Sequence, residues 1–219
     1  MSRLNALRRR FVDAPDSLGA KARAKRWQWF ADNFPDLGEM NVIDLGGTAS
    51  AWLRAPIRPA HVRVVNLGDS PAEEPPSWIT FDTGDACDLP SSIRDDKYDL
   101  VFSNAVIEHV GGHYRRQKFA DAVHELAPRH WVQTPYRYFP IEPHYLFPGF
   151  QFLPVNVRAE VLRKWPLIHT PSSDKIGARH TAMEVELLSI TEMRLYFPTS
   201  QIRFERLGGL VKSVIAVQI

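Results

Sequence analysis

Cysteine is nearly absent from this chain, whose single thiol belongs to Cys87. One cysteine excludes an internal disulfide and a multi-cysteine metal site, and it is typical of proteins that work in a reducing compartment. Long apolar runs are also missing. No segment approaches the ~18 residues of a membrane-spanning helix, and the first residues lack the apolar stretch of a secretory signal. We therefore predict a cytoplasmic protein without stable membrane insertion.

A charge excess of either sign is lacking as well. Lysine and arginine together number 27, aspartate and glutamate 25, so the formal net charge is +2. Phosphate contacts dominate nucleic-acid affinity and call for a more basic surface than this, so we predict no nucleic-acid partner. The basic residues concentrated in segment 1–30 are interpreted as the solvated face of a helix.

What the chain does contain is an alternation of helical and strand patterns. With 219 residues it is long enough for one domain with a sizeable core, and we predict a single domain over 1–219. The N-terminal segment 1–38 is predicted to be helical, because Trp27, Phe30 and Phe34 recur at helical spacing before Pro35. Near-continuous apolar runs then predict strands buried on both faces, at 41–45, 61–67, 78–82, 98–103, 130–134 and 211–217. Strands alternating with helices imply right-handed crossovers and a parallel sheet.

Residues 135–182 depart from that alternation. They are rich in proline and aromatic residues and show little periodicity. So long an irregular insertion in a compact domain is usually functional. We predict that it forms a lid or a substrate loop.

The predicted strand ends carry glycine, acidic and amide residues, and ligands of doubly wound sheets bind outside the carboxyl ends of the strands. The motifs are VIDLGGTAS (42–50), TGDACDLP (83–90), YDLVFSNAVIEHV (98–110) and RLGGLVKSVIAV (206–217). In this order and at these separations they resemble those of class I S-adenosylmethionine (SAM)-dependent methyltransferases of the small bacterial type. The resemblance spans roughly residues 41–219. It implies an α/β fold with a Rossmann-like, doubly wound, mostly parallel seven-stranded sheet and helices on both faces.

The resemblance also implies SAM as cofactor, with S-adenosylhomocysteine as product, and it assigns residues to the cofactor site. Asp44 and the Gly46-Gly47 turn would face the methionine portion, and Asn66 with Leu67 the ribose. Asp85 and the backbone of Ala86 would meet the adenine edge. Asn104 and Ala105 would lie beneath the sulfonium.

Two departures from the family pattern leave the ribose ligand open. Thr48 and Ser50 stand in the first turn where the family usually has more glycine, and the second strand ends in Asn66 where an acid is usual. An amide can still hydrogen-bond a ribose hydroxyl, and Asp69 follows closely in the sequence.

Two other function classes remain as alternatives. A dinucleotide site would require G-x-G-x-x-G at the first turn and an acid on the second strand, whereas the chain offers only Gly46, Gly47 and then Asn66. An NAD-linked oxidoreductase is therefore disfavoured. A cofactor-binding domain without catalysis is the third class.

Methyl transfer to a neutral hydroxyl also needs a base for the departing proton. We predict that His144 is this base, because it follows the fifth strand where the irregular segment begins, with Glu142 orienting it. The alternative is that both residues have only a structural role and stabilise the loop. His109 is predicted to lie on the cofactor side and to be a second candidate base. The predicted substrate-binding residues are Tyr136, Tyr138 and Tyr145, as an aromatic sugar platform, and His180.

A metal site is not predicted. His109 and His113 lie four residues apart beside Glu108, but the zinc-protease pattern H-E-x-x-H is absent and Gly111-Gly112 would weaken a helix carrying both histidines.

The acceptor is predicted to be a small molecule. The segment FPIEPHYLFPGFQFLP (139–154) is similar to that of actinobacterial O-methyltransferases that act on sugar hydroxyls of methylmannose polysaccharides. That similarity implies a mannoside-like sugar or oligosaccharide. Because the same segment is rich in phenylalanine, a lipid or quinone hydroxyl is the alternative acceptor. The phenylalanines could equally form a homodimer contact.

Overall fold

The computed structural model describes residues 14, 17–68, 74–167 and 174–219. Asp69 and most of segment 1–16 lie outside the described residues.

The described residues form nine strands. They are β1 (Asn41–Leu45), β2 (His61–Asn66), β3 (Ile79–Thr83), β4 (Leu100–Asn104), β5 (Arg129–Pro135), β6 (Ile141–Glu142), β7 (Phe147–Pro148), β8 (Gln201–Leu207) and β9 (Leu210–Gln218). Seven of them build one sheet in the order β3-β2-β1-β4-β5-β9-β8, while β6 and β7 pair separately. Strands β1 to β5 run parallel, and β9 is antiparallel to both β5 and β8. The predicted mostly parallel seven-stranded sheet is confirmed.

The same residues form seven α-helices. They are α1 (Leu18–Asn33), α2 (Ala49–Trp52), α3 (Ser91–Arg94), α4 (His113–Leu126), α5 (Val155–Lys164), α6 (Lys175–Glu184) and α7 (Ile190–Tyr196). None of these helices is long and apolar enough to cross a membrane.

Helices cover both faces of the sheet, as predicted. Successive strand side chains point to opposite faces: Val101 of β4 joins the core that contains Phe119 of α4, whereas Phe102 packs against Phe30 of α1. This two-sided burial explains why the parallel strands read as near-continuous apolar runs rather than as alternating ones.

Strand β8 was not predicted. Its sequence QIRFERL interleaves polar and apolar residues, and most of its side chains are only partly buried. It lies at the edge of the sheet, beside β9 alone. A search for continuous apolar runs therefore passes over it.

The prediction that 135–182 is irregular was wrong. Helices α5 and α6 fall within this segment and pack on each other around a small core of their own, which includes Tyr145, Phe150, Leu162 and Ala178. Each helix is only 10 residues long, which is too short to show a clear apolar period among so many prolines. We call this unit, residues 136–167 and 174–188, the lid, after the role predicted for segment 135–182, which stays a prediction.

The aromatic core under α1 generates a stability prediction. Phe30 is fully buried, and its ring centroid lies 4.9 Å from that of Phe102 and 5.5 Å from that of Trp131. Phe30→Ala should lower the free energy of unfolding in urea by about 3–5 kcal/mol, because the rigid rings around the cavity cannot close it. Lys25→Ala, on the exposed side of the same helix, should change it by less than about 0.5 kcal/mol. Equal effects would contradict this packing.

Candidate active site

The carboxyl ends of β1 to β5 meet at one edge of the sheet, and the strand order reverses between β1 and β4. This is where doubly wound sheets bind ligands. The turn after β1 requires glycine twice. Gly46 has a φ of +87°, and a Cβ added to it would clash with Cγ2 of Val106. A Cβ on Gly47 would overlap the carboxylate of Asp44.

Asp44 is buried directly beneath this turn, with 1% of its surface exposed. The indole Nε1 of Trp52 donates a hydrogen bond of 2.6 Å to its Oδ2, while Oδ1 has no hydrogen-bond partner among the described residues. Burial raises the pKa of Asp44 to about 7, and the bond from Trp52 opposes that rise. The carboxylate therefore supports the turn and keeps one unpaired oxygen, the group to which an ammonium is complementary.

Asn66 ties the end of β2 to the same turn. Its Nδ2 donates a hydrogen bond of 2.7 Å to the carbonyl oxygen of Gly47. The adjacent Leu67 is 74% exposed. The structure thus gives Asn66 a role in holding the glycine turn, and its predicted contact with ribose stays a prediction.

Asp85, beyond the end of β3, is paired with Arg115 of α4. Arg115 Nη2 donates to both carboxylate oxygens, at 2.9 and 2.7 Å, and the backbone N–H of Cys87 donates to Oδ1 at 2.9 Å. Burial opposes the ionisation of Asp85, but these hydrogen bonds outweigh it and lower its pKa. Asp85 is therefore a fixed, ionised acceptor next to the half-buried Ala86. Sequence reasoning missed Arg115, since nothing in the spacing links it to the turn.

Asn104 at the end of β4 is held by Arg26 of α1. Arg26 Nη1 donates to Oδ1 of Asn104 at 2.8 Å and to Oε1 of Gln133 at 3.1 Å, and Nη2 contacts Glu205 of β8 at 2.7 Å. The solvated-face interpretation is wrong for Arg26, whose side chain is only 13% exposed. Only the tertiary structure brings α1 over the strand ends. Ala105 follows with a φ of +59°, a backbone conformation that sequence does not reveal.

A polar cluster fills the space between the segments that follow β4 and β5. Nδ1 of His144 lies 2.6 Å from Oε1 of Glu142, and its Nε2 lies 3.2 Å from Nε2 of His109. Glu108, which is fully buried, accepts a hydrogen bond of 3.0 Å at Oε2 from Thr134 Oγ1. The structure brings together the three predicted catalytic residues and adds Glu108, which sequence reasoning had considered only for metal binding.

The cluster is electrostatically coupled. Burial raises the pKa of Glu108 to about 7. Burial and the neighbouring His144 lower the pKa of His109. Burial also acts to lower the pKa of His144, but the bond and charge of Glu142 outweigh it, so that its pKa is raised.

The predicted substrate-binding residues differ in how exposed their side chains are. Tyr138 is 57% exposed, and its ring lies 5.5 Å from that of the half-buried Tyr136, measured between centroids. Tyr145 is only 7% exposed and donates its hydroxyl to the carbonyl oxygen of Thr181 at 3.1 Å. Its assignment to the aromatic platform is therefore corrected, because it packs inside the lid. His180 is exposed on α6.

His113 does not join the cluster. It begins α4, and its Nδ1 lies 2.9 Å from the hydroxyl of Tyr196. His109 and His113 are only four residues apart in the sequence, but the fold places His109 next to His144 instead.

The sequence matches no family model. It also matches no curated protein. Solved structures do match. A SAM-dependent methyltransferase from Mesorhizobium loti aligns with a TM-score of 0.54 at 15% identity, covering 88% of this chain and 96% of the other. The N-methyltransferase NodS from Bradyrhizobium japonicum aligns with a TM-score of 0.52 at 10% identity, covering 93% and 97%.

A third structure, the N-terminal domain of EvdMO1 in the presence of SAH and D-fucose, aligns with a TM-score of 0.53 at 15% identity and covers 100% of this chain and 97% of the other. The chain has the class I methyltransferase fold. The resemblance drawn from the strand-end motifs is confirmed at the level of the methyltransferase fold.

The buried carboxyl of Asp44 generates a pH prediction. Its folded pKa of about 7 lies above the unfolded value of 3.8, so the folded protein holds more protons between these values and loses stability as pH rises through them. We expect this group to lower the free energy of unfolding by roughly 2–3 kcal/mol between pH 5 and 8.

Urea unfolding of the wild type and of Asp44→Asn at pH 5 and pH 8 measures this. Asparagine can still accept the bond from Trp52 but does not titrate, so the difference between the two proteins isolates the carboxyl. A pH dependence of the same size in both proteins would contradict the expectation.

Proposed function

We propose that this protein is a SAM-dependent O-methyltransferase that methylates a hydroxyl of a sugar or oligosaccharide in the cytoplasm. The observation that carries the proposal is the His144 cluster, because it lies at the sheet edge where the methyltransferase fold has its ligand site. A hydrogen-bonded imidazole and carboxylate at that edge supply what methyl transfer to a neutral hydroxyl requires: a positioned acceptor for the proton.

The cofactor residues fit a bound SAM. The unpaired Oδ1 of Asp44 suits the ammonium of its methionine portion. Asp85, fixed by Arg115, suits hydrogen-bond donors of the adenine edge, and Asn104, fixed by Arg26, stands at the end of β4. The remaining predicted contacts are those of Gly46, Gly47, Asn66, Leu67, Ala86 and Ala105. The cofactor supplies a methyl group activated on a sulfonium.

In the proposed reaction His144 removes the acceptor proton. Its Nδ1 faces the carboxylate of Glu142, which only accepts hydrogen bonds when ionised, so the neutral ring carries its proton on Nδ1 and keeps a lone pair on Nε2. Glu142 is itself held by the backbone N–H of Tyr145, which donates to Oε2 at 2.9 Å. A base whose orientation is fixed before the reaction costs little reorganisation when it acts.

Two features support a carbohydrate acceptor. Tyr136 and Tyr138 present adjacent rings at the start of the lid, and Tyr138 is 57% exposed, an arrangement suited to the apolar face of a sugar. One structure of similar fold, the N-terminal domain of EvdMO1, was determined in the presence of both SAH and D-fucose. A lipid or quinone hydroxyl is the second candidate, since Phe152 next to this pair is 56% exposed and stacks on Tyr138 at 6.0 Å.

The proposal is tested by following transfer of a labelled methyl group from SAM to a panel of acceptors. The panel contains free and partly methylated mannosides, a quinol and a lipid hydroxyl. Methylation of a mannoside above the others supports the sugar assignment. Methylation of only the quinol or the lipid would contradict the sugar acceptor and would still support methyltransferase activity. With no turnover on any acceptor in the panel, the sugar proposal fails.

His144→Ala should reduce kcat with the accepted substrate by about 100-fold to 10,000-fold, the usual contribution of a positioned base. Its affinity for S-adenosylhomocysteine should stay near that of the wild type, because His144 is not among the predicted cofactor residues. His61→Ala is the matched control: it removes a half-buried histidine at the amino end of β2, the opposite edge of the sheet. Near-normal turnover of His144→Ala would contradict the role of His144.

A further inference from the structure

We infer that Glu108, His109 and His144 form a binding site for one divalent transition-metal ion. Each residue offers one ligand atom, and the three atoms lie within 4.8 Å of one another. The two Nε2 atoms are 3.2 Å apart, and Oε1 of Glu108 lies 3.9 Å from Nε2 of His144. Metal binding requires no assumption about the reaction. The effect of the metal on catalysis, in contrast, rests on the proposed function.

An unpaired buried oxygen points to a missing ligand. Oε1 of Glu108 has no hydrogen-bond partner among the described residues, and the side chain is fully buried. Buried carboxylate oxygens without a partner are rare in folded proteins, because the lost hydration is not replaced. A cation held between Oε1 and the imidazoles would supply the missing interaction.

The two imidazoles can also present lone pairs to the same point. His144 uses Nδ1 towards Glu142, so its neutral form leaves Nε2 without a proton. The neutral ring of His109 also carries a single proton, and with that proton on Nδ1 its Nε2 offers a lone pair on the side that faces His144. Neutral histidine with one bare nitrogen is the form that binds metals.

Two of the three side chains are also oriented by a group behind them. Thr134 Oγ1 donates to the second oxygen of Glu108, and Glu142 accepts from His144. These supports come from β5 and from β6. Metal-ligating residues typically show this arrangement, because the outer hydrogen bonds fix the orientation and the tautomer of the ligands.

The ligand set selects the class of ion. Two imidazoles and one carboxylate suit Mn²⁺, Fe²⁺, Co²⁺ or Zn²⁺ better than Mg²⁺ or Ca²⁺, which prefer oxygen ligands. Three protein ligands leave coordination positions for water or substrate. The side chain of His144 is 25% exposed, so the open positions can face the space where an acceptor would enter.

A metal here would change how the hydroxyl is activated in the proposed reaction. The acceptor oxygen would coordinate the ion, and its pKa would fall as that of metal-bound water does. The O–H proton would pass to water, the oxygen would form a bond to the methyl carbon, and the carbon–sulfur bond would break to leave S-adenosylhomocysteine. In this state the lone pair of His144 Nε2 binds the metal, so metal ligand and general base are alternative roles for His144.

The test is calorimetric titration of chelator-treated protein with Mn²⁺, Co²⁺, Zn²⁺ and Mg²⁺, with the visible absorption of Co²⁺ as a second readout. We expect one equivalent of a transition ion to bind more tightly than Mg²⁺, with Co²⁺ bands that report nitrogen ligands. Glu108→Gln, which keeps the acceptor for Thr134, and His144→Ala should each weaken binding by at least about 10-fold. His113→Ala, outside the cluster, should bind as the wild type does.

No binding at one equivalent, or binding that survives both Glu108→Gln and His144→Ala, would overturn the metal site. These measurements use neither SAM nor an acceptor, so they are independent of the proposed activity. If methyl transfer is then found, a chelator should reduce turnover and the transition ion should restore it. Turnover that a chelator leaves unchanged would contradict the catalytic role of the ion and leave His144 as the base.

Discussion

The parallel pairing of β4 with β5 is the constraint on which the candidate site depends. Because both strands run in the same direction, the segments that follow them start at the same edge of the sheet. The hydrogen bond from Thr134 at the end of β5 to Glu108 after β4 then joins the two segments inside the protein. His109 follows Glu108 directly, and the lid carries Glu142 and His144 to the same point. Without this pairing the four cluster residues would have no common location.

The strand ends also concentrate polar groups that do little for stability. Asp44 and Glu108 are both almost fully buried, and each keeps one oxygen without a hydrogen-bond partner among the described residues. Unpaired buried acids destabilise a fold, and the aromatic core between α1 and the sheet, with Phe30 and Trp52 at its centre, offsets that cost. Polar groups retained at such a cost are expected where ligands bind.

Much of the sheet could be predicted from the sequence, because strands buried on both faces leave continuous apolar runs such as Asn41–Leu45, which the structure reproduces residue for residue. The half-exposed edge strand β8 and the short lid helices leave no such signal. The contact of Glu142 with His144 was expected from the sequence, whereas the approach of His109 to His144 was not. The contacts of Arg26 and Arg115 were not expected either, since α1 and α4 meet the strand ends only in three dimensions. The Glu108–Thr134 bond, which also spans distant segments, was equally invisible in the sequence.

We propose that the glycine turn over Asp44 and the neighbouring strand ends bind SAM. Calorimetric titration of the purified protein with S-adenosylhomocysteine, with NAD as the comparison, is the measurement to make first. We expect micromolar binding of S-adenosylhomocysteine at one site per chain and no binding of NAD. Absence of S-adenosylhomocysteine binding, or a preference for NAD, would contradict the cofactor assignment.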